Sequence, residues 1–397
     1  MNYSDDRLVD YRTDATIERG GMDLPFATLT ILLLTIGVIM VLSASYVRAY
    51  YTEHGNATYY FTRQLVFALS GIVIMFIASK FPIQFYRKLA YVLMAATAVL
   101  LMLVLVVGIG PSAGVKRWIQ LPGGQTIQPS EFAKIAVILV FADMICKYKN
   151  YMGTFRYGIL PFCIVLGGLG LLLIMEPHMS ATIIIVLIGA VMMFVGGTRL
   201  FWFVLGGSVV AILFFVITVM FPYMSTRIVT WRDPFSNMQG DGYQIVQSLY
   251  AIGSGGMFGR GLGQSMQKYL YLPEEHNDFI FAVVCEELGF VGAIIILILF
   301  AMLIIRGYWI AMHCRDRYSF LVAVGISTLL AMQVILNVAV VTNTIPCTGI
   351  SLPFFSYGGT ALWVELGEMG ILLSISRDVP AEPKERNKTA QKLRSDL

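Results

Sequence analysis

The stretch YLPEEHNDFIFAVVCEELGFVGAIIILILFAMLII, residues 271–305, indicates the fold class of the protein. Its first eight residues include three acids and a histidine, and from residue 279 it continues as an apolar run that only Glu286 and Glu287 interrupt. A helix needs about 20 mostly apolar residues to cross the hydrocarbon core of a bilayer. The run is therefore predicted to span a membrane, with the acidic cluster at one of its surfaces.

The whole chain has the composition of a membrane protein. Of its 397 residues, 57% are hydrophobic and 13% are charged, whereas about 25% are charged in a typical soluble domain. We predict an all-α polytopic membrane protein with about ten transmembrane helices. The predicted spans are residues 25–46, 61–79, 89–109, 131–146, 158–175, 180–196, 201–221, 279–305, 319–343 and 353–376.

The basic residues predict the orientation of the chain. Lys and Arg are retained in cytoplasmic loops, and most of the 28 basic residues lie in segments on the same side as the N-terminus. Both termini are thus expected to be cytoplasmic. We expect a cytoplasmic tail over residues 1–22, one ten-helix domain over 23–377 and a disordered cytoplasmic tail over 378–397.

The longest connection, residues 222–278 between the seventh and eighth helices, is then a large extracytoplasmic loop. Its segment GYQIVQSLYAIGSGG, residues 242–256, has apolar residues at helical spacing. It predicts an amphipathic helix that lies on the membrane surface or covers a cavity. The alternative is a packed loop helix that has no role in binding or catalysis. The glycines that follow lack the Gly-Lys-Ser/Thr spacing and the preceding strand of a phosphate-binding loop, so no nucleotide is expected.

Several other classes of site are not supported. The five cysteines show no Cys-x-x-Cys spacing, so we expect neither a disulfide framework nor a zinc site. No His-Glu-x-x-His or Gly-x-Ser-x-Gly motif stands in the setting that a metalloprotease or serine hydrolase needs. The net charge of +4 follows from cytoplasmic loops rich in Lys and Arg, and no nucleic-acid partner is expected.

Polar residues at the outer helix ends are the functional candidates, because an ionisable residue at membrane depth costs roughly 2.5 to 3.5 kcal/mol. Glu131 and Lys134 share one face of a helix at i and i+3, so a self-contained ion pair is the alternative. The segment MEPHMS, residues 175–180, has two interpretations. A simple turn is favoured, and the alternative is that His178 titrates near neutral pH and makes the activity depend on pH. The proline- and glycine-broken stretch NTIPCTGISLPFFSYGGTALWVELG, residues 343–367, predicts a helix start that lines a cavity.

Five segments in this order resemble one family. They are KRWI (116–119), QPSEFAK (128–134), GDGYQIVQSLYAIGSGGMFGRGLG (240–263), YLPEEHNDFIFAVVCEELG (271–289) and LPFFSYGGTAL (352–362). Over ten helices they are similar to the SEDS proteins (shape, elongation, division and sporulation), and to the FtsW and SpoVE branch more than to RodA. The resemblance covers residues 25–377.

The resemblance implies a peptidoglycan glycosyltransferase in the bacterial cytoplasmic membrane, at the division or sporulation septum, that polymerises lipid II on the outer face. It also implies a class B penicillin-binding protein transpeptidase and other division proteins as partners. In this reaction a base takes the proton of the acceptor hydroxyl. Cations, either Lys and Arg or a divalent Mg²⁺ or Mn²⁺, balance the departing pyrophosphate.

Specific residues follow from the same resemblance. Asp278 matches the family's functional aspartate and is the implied base, with a helix N-cap as the alternative. Trp118 resembles a functional tryptophan, with an interfacial anchor as the alternative. Glu274 and Glu275 are expected to be solvated loop acids that could help to hold a cation. The implied substrate-binding residues are Lys116, Arg117, Trp118, Glu131, Lys134, Arg260, Lys268, Glu275, His276 and Ser356.

Two other classes of function stay open at this point. A lipid II flippase would use a similar cationic cavity, although no convincing internal repeat of the kind found in many transporters is present. A scaffold that only recruits wall enzymes would have little use for carboxylates in the membrane. Glu286 and Glu287, about two turns into the eighth helix, are expected to be structural.

Overall fold

The protein is a bundle of long helices. Its computed structural model describes residues 20–110, 116–120, 125–208, 229–238, 240 and 242–379. The helices in those ranges are α1 (Leu24–Thr52), α2 (Tyr59–Ala78), α3 (Ile83–Val107), α4 (Pro129–Lys147), α5 (Phe155–Gly158), α6 (Leu160–Met175), α7 (Met179–Val195), α8 (Tyr243–Gly255), α9 (Ile280–Met312), α10 (Arg317–Val341) and α11 (Gly359–Ser376). Residues 200–208 and 229–232 are also helical.

Six stretches of the described chain are long and apolar enough to cross a membrane: α1, α2, α3, α5 with α6, α9 and α10. Helix α7 is apolar but shorter, while α4 and α11 carry buried ionisable residues. Nine of the ten predicted spans coincide with observed helices. The remaining one, residues 201–221, lies mostly outside the described residues, as do the two predicted tails apart from their innermost residues.

Helix α11 begins later than predicted. Its span was expected from residue 353, but Pro353 to Gly358 form an irregular segment and the helix starts at Gly359. The Glu365 carboxylate accepts a hydrogen bond from the Phe354 backbone N–H at 3.0 Å. Gln64 of α2 donates to the Ser356 carbonyl at 3.2 Å. Polar side chains thus satisfy backbone groups that a helix would otherwise pair, as broken helices at membrane depth require.

Helix α9 has a sharp break at Gly289, where φ is 69°. A glycine-rich segment lies against the break, and the Phe290 N–H donates to the Gly256 carbonyl at 2.9 Å while the Arg260 N–H donates to the Glu286 carbonyl at 3.0 Å. A Cβ at Gly289 would come within 2.2 Å of the Gly259 nitrogen. Only glycine therefore permits the positive φ and this close approach of two backbones.

The predicted amphipathic helix of the large loop is present as α8. Its residues Ile245, Val246 and Ala251 are buried, and the Ser248 hydroxyl donates to the Val341 carbonyl at the end of α10 at 2.8 Å. Helix α8 packs against α9 and α10. These contacts favour the packed loop helix over the two other interpretations.

A short antiparallel pair of strands precedes α4. It comprises β1 (Ile119–Gln120) and β2 (Thr126–Ile127), and Trp118, the residue before β1, bridges to Ile109 just beyond α3. The hairpin lies at the end of the bundle where α9 begins. That end, which carries Asp278, is called the Asp278 end below.

Candidate active site

A cavity of about 470 Å³ lies at the Asp278 end, between the starts of α4 and α7, the loop before α9 and the irregular segment before α11. Its volume is within the range of small-molecule sites. Its wall is rich in polar groups. They include Arg63, Arg117, Trp118, Gln125, Thr126, Gln128, Glu131, Lys134, His178, Ser180, Glu274, Asn277, Asp278, Gln333, Ser351, Ser356, Tyr357 and Thr360.

Asp278 is a half-buried residue in the wall of this cavity, two residues before α9. Burial and the nearby Glu274 carboxylate raise its pKa to about 6, although Arg117 and His276 act in the opposite direction. The observed helix start is Ile280, with Phe279 as its N-cap residue, and no hydrogen bond from the first turn of α9 to the Asp278 carboxylate is present. The N-cap alternative is therefore wrong.

The backbone around Asp278 is held by three hydrogen bonds from later parts of the chain. The Asn337 side chain of α10 donates to the Asp278 carbonyl at 2.8 Å and to the Ile350 carbonyl at 2.6 Å. The Ser356 hydroxyl donates to the Asn277 carbonyl at 2.9 Å. The Tyr357 N–H donates to the His276 carbonyl at 2.9 Å. Three successive carbonyls are thus fixed against α10 and the segment before α11.

Cationic groups line the same cavity. Lys134 Nζ lies 2.6 Å from the Glu131 carboxylate, and both side chains are buried. The Arg117 guanidinium donates to the Pro177 carbonyl at 2.5 Å and is close enough to Asp278 to act on its pKa. The predicted Glu131–Lys134 ion pair is present, and it faces the cavity, so pairing and a binding role are compatible.

The structure brings six predicted site residues to the cavity and places five elsewhere. Those at the cavity are Arg117, Trp118, Glu131, Lys134, Asp278 and Ser356. Those that do not line it are Lys116, Arg260, Lys268, Glu275 and His276.

The cations placed elsewhere have protein partners. Lys116 donates to the carbonyls of Leu105 and Val106 at 3.0 and 3.1 Å. Arg260 pairs with Glu286 at 3.3 Å, and Lys268 pairs with Glu287 at 3.4 Å.

Glu286 and Glu287 are fully buried and hold the loop that precedes the acidic cluster. Glu286 accepts hydrogen bonds from Ser265 at 2.5 Å and from the Met266 N–H at 3.0 Å. Glu287 accepts from Ser43 of α1 at 2.6 and 2.7 Å. These contacts agree with the expected structural role of both acids.

The expectation of solvated loop acids is wrong for Glu275. Its side chain is fully buried and bound by Arg48 of α1 through two hydrogen bonds of 2.7 and 2.8 Å. His276 is buried beside it, with its ring 4.7 Å from that of Tyr60 and 5.8 Å from that of Tyr357. Glu274 is exposed, as expected.

The simple turn that the sequence favours for residues 175–180 is present: Glu176 and Pro177 form a turn between α6 and α7, and His178 follows it. His178 is buried at the cavity wall, where burial, Arg117 and Lys134 lower its pKa to about 3. The lowered pKa does not support the alternative of a histidine that titrates near neutral pH. Its Nε2 atom lies 3.4 Å from the Gln128 side-chain nitrogen.

Several wall residues were missed by the sequence interpretation, among them Arg63, Ser180 and Gln333. Gln333 had a detectable signal, because a glutamine amid the apolar residues of a predicted span needs a polar environment. Ser180 donates to the Thr348 carbonyl and lies at the first turn of α7. No local pattern distinguishes it from the serines that merely bond within their own helix.

The residues of the described chain do not fit a resident metal ion. No three His, Cys, Asp or Glu side chains converge there, and the buried Glu131 of the cavity is already neutralised by Lys134. Mg²⁺ also binds through one or two carboxylates together with substrate phosphates. A role for a divalent cation stays a prediction from the sequence.

Comparison with known proteins identifies the family. Residues 24–380 match the family of FtsW, RodA and SpoVE, described as "Cell cycle protein". The chain belongs to this family. The matched range agrees with residues 25–377, over which the five sequence segments indicated the resemblance.

Two relatives support the closer likeness to the FtsW and SpoVE branch. "Stage V sporulation protein E" of Bacillus subtilis is 42% identical over 91% of this chain and 99% of that protein. "Probable peptidoglycan glycosyltransferase FtsW" of Trichlorobacter lovleyi is 42% identical over 91% of this chain and 94% of that protein. This SEDS protein is thus a homologue of peptidoglycan glycosyltransferases.

Solved structures confirm the fold of this SEDS protein. The crystal structure of the rod shape determining protein RodA of Thermus thermophilus matches with a TM-score of 0.66 and 25% identity, over 91% of this chain and 98% of that one. A chain from "Structural coordination of polymerization and crosslinking by a peptidoglycan synthase complex" matches with a TM-score of 0.73 and 27% identity, over 90% and 98%. The all-α multi-pass architecture is confirmed.

Proposed function

We propose that the protein is a peptidoglycan glycosyltransferase that joins lipid II units on the outer face of the bacterial cytoplasmic membrane, with Asp278 as the general base. The observation that carries the proposal is the placement of Asp278 in a polar cavity that also contains Arg117 and Lys134. A base with a pKa of about 6 is mostly ionised at neutral pH and still basic enough to take a proton in the transition state.

The chemistry joins two sugars and releases a lipid pyrophosphate. Asp278 takes the proton of the acceptor 4-hydroxyl as the oxygen forms a bond to the anomeric carbon of the donor. The bond from that carbon to the pyrophosphate oxygen breaks, and the leaving group carries away the electron pair. No nucleotide is needed, because the donor is already activated by its pyrophosphate.

Arg117 and Lys134 are the cations that would meet the charge on the leaving group. Electrostatic stabilisation works best where the charged groups are held in place before the reaction. Arg117 is held by the Pro177 carbonyl and Lys134 by Glu131. The other polar wall residues, including Trp118 and Ser356, would bind the sugars. A cavity of about 470 Å³ accommodates the reacting head of the substrate, and its lipid chain would remain in the bilayer.

The cellular setting follows from the relatives. SpoVE and FtsW are named for sporulation and peptidoglycan synthesis, and a related chain forms part of a complex that couples polymerisation with crosslinking. We therefore expect a septal location and a class B penicillin-binding protein among the division partners. The distribution of Lys and Arg separately predicts that both termini are cytoplasmic. Reporter fusions at each terminus test the orientation.

The decisive experiment supplies lipid II to the purified protein, with and without the candidate transpeptidase and with and without Mg²⁺ or Mn²⁺. Asp278→Asn is expected to lower the polymerisation rate by about 100- to 10,000-fold, the usual contribution of a general base. The matched control is Asp233→Asn, because Asp233 is an exposed acid in the same large loop. It should polymerise at the wild-type rate.

The results that would overturn the proposal are distinct. Normal polymerisation by folded Asp278→Asn would exclude Asp278 as the base. Transport of labelled lipid II across vesicles by a wild-type protein that forms no polymer would favour the flippase. A protein that neither polymerises nor transports lipid II but still binds the transpeptidase would favour the scaffold.

A further inference from the structure

The loop before α9 is held by two sets of contacts. In the first set, the carbonyls of His276, Asn277 and Asp278 accept hydrogen bonds from Tyr357, Ser356 and Asn337. In the second set, the side chains of the preceding residues reach α1 and α2. The Asp278 carboxylate therefore takes its position from both groups of contacts.

The contact with α1 is an ion pair between Arg48 and Glu275. Arg48 Nε lies 2.7 Å from one oxygen of Glu275 and Nη2 lies 2.8 Å from the other. Such paired bonds fix the orientation of both groups as well as their distance. Glu275 is fully buried, and Arg48 has a side-chain exposure of 25%. Water competes little for the carboxylate at this position.

The pair also balances the charge of Glu275. Burial acts to raise the pKa of Glu275, but the nearby His276 and the hydrogen bonds from Arg48 outweigh it and hold the pKa below its usual range. The acid that contributes to the raised pKa of Asp278 is Glu274. Arg48 thus allows an ionised carboxylate to be buried three residues from the proposed base.

We propose that Arg48 and Glu275 are positioning residues, whose bidentate ion pair anchors the loop Leu272–Phe279 to α1 and sets the place of the Asp278 carboxylate in the cavity. This inference rests on the proposed function. It gives Glu275 a role in positioning Asp278 instead of a role in binding the substrate. His276 completes the contact by packing against the rings of Tyr60 and Tyr357.

Conservative variants test the pair with the full-length protein in detergent. Arg48→Lys keeps the charge but loses the planar fork, and Glu275→Gln keeps the shape but loses the charge. A displacement of about 1 Å can lower a rate about 100-fold, so we expect kcat to fall by about that factor while KM for lipid II changes less than about threefold. The swapped double variant Arg48→Glu, Glu275→Arg should recover part of the loss.

A second readout does not depend on polymerisation. Hydrogen exchange followed by mass spectrometry should show faster exchange of peptide 272–279 in both single variants, with α9 beyond Gly289 unchanged. The matched control is Arg306→Lys, which weakens the Arg306–Asp23 pair of 2.8 Å at the opposite end of the bundle. It should leave both kcat and the exchange of peptide 272–279 unchanged.

The outcomes separate this inference from the proposed function. Wild-type kcat and wild-type exchange in folded Arg48→Lys and Glu275→Gln would overturn the positioning role, whatever Asp278→Asn does. A higher KM with unchanged kcat and exchange would overturn it in favour of substrate binding by Glu275. A third outcome is that the variants show faster exchange of peptide 272–279 while the wild-type protein forms no polymer. This outcome would support the anchoring of the loop by Arg48 and Glu275 and would reject the proposed function.

Discussion

Gly349 lies directly against the proposed base: a Cβ at this position would come within 3.0 Å of Asp278 Oδ2. The φ angle of Gly349 is +70°, a conformation that residues with a side chain rarely adopt. The glycine thus leaves room for the carboxylate in a segment whose backbone no other residue would favour.

Gly349→Ala is expected to lower kcat for polymerisation by about 10-fold or more, because the added methyl group displaces the Asp278 carboxylate and the left-handed backbone costs roughly 1 to 2 kcal/mol. The matched control is Gly253→Ala in α8, where an added Cβ meets no atom within 4 Å. It should keep wild-type kcat. Equal activity of the two alanine variants would contradict the close contact between Gly349 and Asp278.

The pH dependence of polymerisation should report the titration of Asp278. The base acts in its deprotonated form, and its pKa is about 6, so the rate should rise with pH through about 6 and level off above it. Below that pH, kcat/KM should fall by about tenfold per pH unit. His178 adds no second step near neutrality, because its pKa is about 3. A rate that is flat between pH 5 and 7 would speak against Asp278 as the titrating base.

Lys134 should be needed for stability as well as for activity. Its ammonium group is buried with Glu131 at 2.6 Å and lies near Glu365 and Glu368. Removing one partner of a buried ion pair costs about 3 to 5 kcal/mol. Lys134→Ala is therefore expected to lower the free energy of unfolding in detergent by about that amount and to abolish polymerisation.

The control for this prediction lies in the same helix. Lys147 pairs with Asp143 at 2.6 Å, but its side chain is 53% exposed, and Arg87 also binds Asp143 at 2.7 Å. Lys147→Ala should cost less than about 1 kcal/mol. A double variant Glu131→Ala, Lys134→Ala should be less destabilised than the sum of the single variants, since each single change leaves a buried charge. Strict additivity would show that the two groups do not interact.

Glu176 is expected to be uncharged in the native protein at neutral pH. It is buried at the end of α6, and burial raises its pKa to about 8, although Arg117 acts to lower it. The folded state then binds a proton that the unfolded state loses above a pH of about 4.5, so the stability contributed by this group falls as the pH rises from about 4.5 to 8. Glu176→Gln should reduce this fall.

Thermal unfolding midpoints at pH 5 and pH 8 measure the effect. The difference between the two midpoints should be smaller in Glu176→Gln than in the wild type, and unchanged in Asp233→Asn, which alters an exposed acid. An unchanged difference in Glu176→Gln would mean that Glu176 is ionised in the folded protein.

The sequence predicted the fold well because the signals for membrane helices are local. A run of about 20 apolar residues spans a bilayer wherever its neighbours lie, and nine of the ten predicted spans correspond to observed helices. The bounds were less accurate where backbone chemistry decides them. Helix α11 starts at Gly359 because polar side chains from α2 and from α11 itself hold the segment before it.

The candidate site was only partly predictable. Asp278, Arg117 and Lys134 lie in segments that resemble the family, and the structure places all three at one cavity. Arg260 lies in such a segment and Lys268 lies between two of them, but they pair with Glu286 and Glu287. A long basic side chain can reach a phosphate or a carboxylate equally well, and the sequence does not say which is nearer.

The membrane class, the helices and the family were predictable from the sequence, because each depends on residues close together in the chain. Which polar residues meet depends on the tertiary structure. Arg48 and Glu275 are 227 positions apart, and Asn337 reaches the Asp278 carbonyl over 59 positions. Such contacts depend on how α1, α9 and α10 pack, since in a membrane the interior of the bundle is where a buried charge or amide finds its partner.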